Sequence, residues 1–498
     1  MRKKRSASRK SLAATVTAAL IAAGTGLVAS CSTSPAPGRA YASGASSAPG
    51  TSSAPGTSGA SGASVTAHGT AAPGTQVTGK LANGTTWVAE YPSSWNGTLV
   101  LYSHGYGALT AADAPDAPTQ RAMLAAGFAL AGSSYDPNGS QWALNTAVGD
   151  QFGALSAVES TVLPRPPAHV LAFGTSMGGL VSALEAQDGE GKIDGALTTC
   201  GIVGGGVNLN QSQLDGEYAI ARLLGNPGTR LVGLNDETAY DTGNALNAAA
   251  QRAQGTAAGR ARLALAMAFL NIPAWDPNDS APVPAGNAAA QESAQYDTLT
   301  DSSNNVIDFI EGGRESIEQA VGGQAGWTAG TNFAQAFAGS PYRPEVEGLY
   351  HAAGLNLQAD LAALTAHAAI KADPAALKSL QSTSDPTGRL AVPELDLHTI
   401  GDNLVPVGNE STYATQVSQA GSGALLRQAY TESYGHCNFS VSEQVAGLQA
   451  VLQRVTAGQW GNVATAASLE RTATGLQLDQ AHFVAYSPGP LTGAVPAS

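Results

Sequence analysis

His169-Val170-Leu171-Ala172-Phe173-Gly174-Thr175-Ser176-Met177-Gly178-Gly179 decides the fold. A short apolar run with the composition of a buried strand breaks at a Gly-x-Ser-x-Gly turn, and Leu180, Val181 and Leu184 then lay an apolar stripe along a helix. Strand, sharp turn and helix in that order lift a serine hydroxyl to the end of a sheet. Glycine at 174 and 178 lets the strand and the helix pack closely on either side of it. With 59 glycines among 498 residues the pentapeptide alone says little. The flanking strand and helix mark Ser176 as a nucleophile rather than a helix cap.

Working outward, the same alternation of strand and helix continues on both sides. Val77 to Tyr91 reads as a hairpin that turns at Asn83-Gly84, and Gly97 to Ser103 as a buried strand that ends in His104-Gly105-Tyr106-Gly107. Arg121 to Ala126 reads as a short helix and Gly127 to Ser133 as the next strand. Val148, Phe152, Leu155 and Val162 recur at helical spacing on the way into the Ser176 strand, and Ile193 to Cys200 is a strand after it. This pattern predicts an α/β fold, a mostly parallel sheet flanked by helices and joined by right-handed crossovers.

The segment from Gly97 to Cys200 resembles the core of an α/β-hydrolase. That family carries a serine, an acid and a histidine, in that chain order, on loops after successive strands, and the resemblance places two more residues. Pro393 to Thr399 is a strand, and the loop after it holds Asp402 in the acid's place, with Asp396 and Glu410 as alternatives. Leu425 to Thr431 is the last core strand, and His436 follows it as the base. Ser440 and Glu443 then form a capping box on a helix whose Val445, Leu448, Leu452 and Val455 share a face. The resemblance implies an oxyanion site at the backbone N–H groups of Tyr106 and Met177, and covalent catalysis through an acyl-enzyme with no cofactor. The expected activity is hydrolysis of a carboxylic ester. A prolyl-oligopeptidase-like peptidase and a non-catalytic surface binding protein are the alternatives, so the expected partner is a small-molecule ester or a peptide.

About 190 residues separate the strands Ile193–Cys200 and Pro393–Thr399, far more than one crossover needs. Helical spacing in Gln213–Leu224, Gly259–Leu270, Asn304–Ala320 and Leu355–Ile370, with a further start at Asp373-Pro374, predicts a mainly helical cap over 205–388. Gly201 to Gly206 would be its hinge. The core is then 77–204 with 389–460, and 461–498 is a C-terminal extension. Asp276, Asn278 and Asp279 lack the glycine and terminal glutamate of a calcium loop, and no other spacing suggests a metal.

The N-terminus predicts export. Arg2, Lys3, Lys4, Arg5, Arg9 and Lys10 precede an apolar run from Leu12 to Ala29, and the run ends at Ser30-Cys31. This resembles a bacterial lipoprotein signal, which implies cleavage before Cys31, lipidation of that cysteine and anchoring at the outer face of the cell membrane, with secretion as the alternative. Loss of those six basic residues takes the net charge from -13 to about -19, an acidic balance that repels nucleic acid. Residues 32–76 are Ser, Ala, Gly, Pro and Thr, with Ser-Ser-Ala-Pro-Gly-Thr-Ser repeated from Ser46 and Ser52, and read as a flexible tether. In an oxidising compartment the two remaining cysteines, Cys200 and Cys437, are expected to pair.

Overall fold

The apolar runs become one nine-stranded sheet in the computed structural model, which describes residues 71–188, 191–302 and 305–495. Its strands are β1 (Val77–Lys80), β2 (Thr86–Glu90), β3 (Thr98–Ser103), β4 (Ala129–Ser133), β5 (His169–Thr175), β6 (Gly195–Thr199), β7 (Glu394–Gly401), β8 (Leu426–Tyr434) and β9 (Phe483–Val484). They lie in the order β1-β2-β4-β3-β5-β6-β7-β8-β9. From β4 to β8 every pairing is parallel, while β1, β2 and β9 join antiparallel at the edges. Every residue of β3, β4 and β6 is buried, because helices cover both faces of a parallel sheet. The expected α/β architecture is therefore what the chain adopts.

Each sheet face has its own core. Leu99, Leu101, Ala172 and Ala196 face Phe152, Leu155 and Val158 of helix Ala147–Thr161 on one side. On the other, Val100, Phe173, Leu197 and Leu395 meet Val445, Leu448 and Val451 of helix Val441–Ala457. That second helix starts at the capping box read from the sequence: the Ser440 hydroxyl accepts from the Glu443 N–H, and the Glu443 carboxylate accepts from the Ser440 N–H.

The residues between β6 and β7 are helical, with their own apolar core around Leu214, Leu246, Leu263, Phe269, Ile307 and Leu364. Helices Gly206–Leu223, Ala257–Leu270, Val306–Val321, Leu357–His367 and Pro374–Ser384 occupy the stretches that the spacing marked. The first begins seven residues earlier than expected, at the glycines read as a hinge. Asp385 closes its end by accepting from the Val207 N–H. Helices Asp236–Ala253, Ala288–Leu299, Phe333–Ala338 and Arg343–Ala352 were not foreseen. Inside this cap a buried Arg314 donates to Glu217 at 2.5 Å and to the Leu231 carbonyl at 3.0 Å, with Glu311 at 3.7 Å.

Two boundaries differ from expectation. Residues 71–76, read as tether, are tied to the domain: the Tyr91 hydroxyl donates to the Ala71 carbonyl and the Gly74 N–H to that of Tyr91. The C-terminal extension is integrated too, for it supplies β9, and Thr492 and Val495 donate backbone N–H groups to Asn271 and Asn208 of the cap. Cys31, the basic and apolar leader and the rest of the tether lie outside the described residues. Among the described residues no helix is long and apolar enough to cross a membrane.

Candidate active site

Ser176 sits where β5 turns into helix Met177–Asp188, and its backbone is in the left-handed region at φ 60°. A non-glycine residue is held there only by surroundings that leave no alternative. The Ser176 N–H donates to the Thr199 carbonyl at 3.0 Å, and the Thr199 hydroxyl donates to the Gly174 carbonyl at 2.9 Å, so β6 clamps the turn. The two glycines are sterically required. A Cβ at 174 would lie 1.9 Å from the Gly178 carbonyl oxygen, and one at 178 would lie 1.9 Å from that of Ser103.

The structure brings Ser176, His436 and Asp402 together from three strand ends. His436 Nε2 lies 2.7 Å from Ser176 Oγ, and Nδ1 lies 2.8 Å from Asp402 Oδ2. The His436 backbone is fixed by donation to Asn403 Oδ1 at 3.1 Å. Asp402 is buried, and its Oδ1 also accepts from the N–H groups of Leu404 and Val405. Burial pushes its carboxyl up, but the adjoining His436 and these hydrogen bonds outweigh that and hold it below its ordinary value. Of the three acids considered, Asp402 is the one that reaches His436. Asp396 is buried against Thr198, and Glu410 against His398.

Gly105 follows β3 close to the serine: a Cβ there would stand 3.3 Å from Ser176 Cβ. That brings the Tyr106 loop alongside the turn, and the N–H groups of Tyr106 and Met177 have no hydrogen-bond partner among the described residues. Cys200 and Cys437 form a disulfide with Cα atoms 5.3 Å apart, which joins the end of β6 to the loop that carries His436. Cys200, His436 and Cys437 also cluster within metal-ligand range, but the disulfide occupies both sulfurs.

Helices from between β6 and β7 contribute walls at this end of the sheet. Ser176 and His436 open onto a cavity of about 30 Å³ walled by Tyr106, Trp142, Leu209, Phe309, Ile317 and Val405, with Gln213 and Gly313 among the remaining lining residues. That is room for little more than a water molecule. Helix Val306–Val321 is pinned over it by the Tyr106 hydroxyl, which donates to the Gly312 carbonyl and pairs with the Ser316 hydroxyl, both at 3.0 Å. A larger groove of about 780 Å³ beside β1 and β2 shares no residue with this cavity.

Sequence reasoning passed over the group behind the acid. His398, placed within a strand and given no role, lies with Nδ1 2.7 Å from Glu410 Oε1 and donates from Nε2 to the Val405 carbonyl at 2.8 Å, with Asp402 Oδ2 at 3.6 Å. Burial raises Glu410 to about 7. The signal available was weak: three ionisable residues, Glu394, Asp396 and His398, alternate along one strand that is buried on both faces.

No family model matches the sequence. The chain is similar to an o-phthalyl amidase of Xanthobacter agilis, 28% identical over 416 residues that make up 78% of this chain and 88% of the relative. Among solved structures it is similar to an esterase from Aspergillus oryzae, with a TM-score of 0.42, 13% identity and coverage of 76% of this chain and 78% of that one. Feruloyl esterase B from Aspergillus oryzae gives a TM-score of 0.38, 14% identity and coverage of 77% and 80%. By its strand order, its parallel centre and the turn between β5 and the following helix, the chain has the α/β-hydrolase fold.

Proposed function

We propose that the protein is a serine hydrolase that cleaves a carboxylic ester through an acyl-enzyme. The observation that carries the reading is the continuous hydrogen-bond chain from Ser176 Oγ through His436 to Asp402. Ser176 is a poor nucleophile until His436 accepts its proton, and Asp402 fixes the imidazole tautomer and stabilises its cationic form. Ser176 Oγ then bonds to the acyl carbon, and the oxyanion lies against the N–H groups of Tyr106 and Met177, worth about 3 kcal/mol each in transition-state stabilisation. His436 returns the proton to the leaving alcohol. Water, deprotonated by His436, releases the acid and regenerates the serine.

Similarity to o-phthalyl amidase favours a second reading in which the cleaved bond is an amide. The machinery is the same, with an amine in place of the alcohol. Export belongs to the proposal as well: the leader that ends at Cys31 and the Cys200–Cys437 disulfide both suit an oxidising, extracytoplasmic location.

Reaction with a fluorophosphonate, read by intact mass, tests the reading. One adduct on the wild type and none on Ser176→Ala is the expected result, followed by release of acid from matched ester and amide substrates. A folded wild type that takes no adduct would overturn it.

A further inference from the structure

Helix Gly206–Leu223 is buried along nearly its whole length, yet Asn208, Asn210, Gln211, Gln213, Asp215 and Glu217 stand in it. Most of these have partners. Asn208 donates to the Gly204 carbonyl, Gln211 to Asp215 and the Trp327 carbonyl, and Glu217 accepts from Arg314. Asn210 and Gln213 make no side-chain hydrogen bond among the described residues, and Asn210 Oδ1 is fully buried. Gln213, 8% exposed, is the one of the two that lines the cavity holding Ser176 and His436. Neither Gln213 Oε1 nor Nε2 is fully buried, so the amide keeps surface open to a ligand in that cavity.

The remaining walls sharpen the contrast. The Tyr106 hydroxyl is taken by Gly312 and Ser316, Trp142 Nε1 donates to the Ser384 hydroxyl, and Ser176 and His436 bond each other. Apart from the catalytic pair, no carboxylate, lysine or arginine lines the cavity, and besides Gln213 the rest of its surface is aromatic and aliphatic, with the Tyr106 hydroxyl already paired. One neutral amide, able both to donate and to accept, therefore faces an apolar chamber beside the nucleophile.

We propose that Gln213, once the small cavity widens to admit an acyl group, is a specificity-determining residue, which selects substrates whose compact apolar group carries one uncharged hydrogen-bonding substituent, a hydroxyl or a carboxamide. The inference rests on the hydrolase reading and deepens it. An apolar wall alone separates related substrates only modestly, whereas a buried polar group left unpaired by the wrong substrate discriminates strongly. A carboxylate or ammonium in the same place loses its hydration with no counter-charge in the lining.

The test uses 4-nitrophenyl benzoate and its ortho, meta and para hydroxy and carboxamide derivatives, with kcat/KM measured for the wild type and for Gln213→Met. Wild type is expected to favour at least one substituted ester over benzoate by tenfold or more. In Gln213→Met, nearly the same shape without the amide, that ratio falls to within about twofold of unity. A wild type that prefers no substituted ester overturns the inference without reference to any variant. So does a folded Gln213→Met, checked by thermal unfolding, that keeps the wild-type ratio. Fluorophosphonate labelling separates the two levels: an adduct at Ser176 with an unmoved ratio overturns the role of Gln213 alone, and absence of the adduct overturns both.

Discussion

Glycine means different things at 178 and at 313. A methyl group at 178 would strike the Ser103 carbonyl oxygen, which belongs to β3 and cannot retreat, whereas one at 313 meets nothing within 4 Å. Gly178→Ala is therefore expected to unfold at lower temperature and to lose fluorophosphonate labelling. Gly313→Ala lies mid-helix with an unstrained backbone, so it should gain about 0.5–1 kcal/mol of stability. Its methyl projects into the cavity lining, and kcat/KM should fall most for the bulkiest acyl groups. Thermal unfolding and kinetics on an acetate-to-benzoate ester series check both halves. Asp402 gives a second test at this scale. Asp402→Asn keeps the shape but favours the wrong imidazole tautomer, and kcat should drop by about 10⁴-fold. The site residues legible in the sequence were those tied to local order: a serine between two glycines, and an acid and a histidine each just past a strand. Gln213 and the His398–Glu410 pair were not legible, because what sets them apart is what the fold puts around them: His398 and Glu410 are only 12 residues apart but meet where a strand and the helix after it pack together, and Gln213 is marked by the cavity it lines.

At the scale of elements, the bridge between the end of β6 and the loop after β8 spans β7, the strand that carries the acid. Cys200 and Cys437 are both at positive φ, 46° and 56°, so each is held in a conformation that its neighbours impose. Replacing both with serine opens a cross-link over 237 positions of sequence. The chain-entropy model puts its loss at about 5 kcal/mol, an upper figure. Urea unfolding of the double variant should show a reduced midpoint. Because Cys437 adjoins His436, kcat should fall further than KM rises; an unchanged kcat would make the bridge a stabiliser only. Strands were read well here because a buried parallel strand is a short, mostly apolar run, as Leu99–Tyr102 is in β3 and Val170–Phe173 in β5. The cap was read less well. Helix Asp236–Ala253 is polar on average, with Asp241, Asn244 and Arg252 on its outer side, and Phe333–Ala338 is too short for its spacing to register. Both are helices because of what they pack on, and that is a tertiary fact.

For the whole molecule, the buried acids set how stability depends on pH. Burial raises Asp385 to about 6, Asp215 and Glu410 to about 7, and Glu345, which also feels the charge of Glu292, to about 8. Each is protonated in the folded state over a range where the unfolded chain has already released the proton, so stability falls as pH rises from the unfolded value near 4 toward the folded one. Asp402 has the opposite sign. Its folded value is depressed, so its contribution is complete above the unfolded value of about 3.9 and is lost only as pH falls below that. The two effects leave a maximum near pH 4, with a decline through pH 8 on the alkaline side. Glu345 is the group to probe, since both its carboxylate oxygens lack a hydrogen-bond partner and it stands away from the cavity that holds Ser176. Glu345→Gln should match the wild type at pH 5 and exceed it progressively up to pH 8, by a margin on the order of 4 kcal/mol for a shift of this size. Urea unfolding at pH 5, 6.5 and 8 reads the difference directly. A constant gap between the two proteins across that range would show that Glu345 ionises in the folded state as it does in the unfolded one.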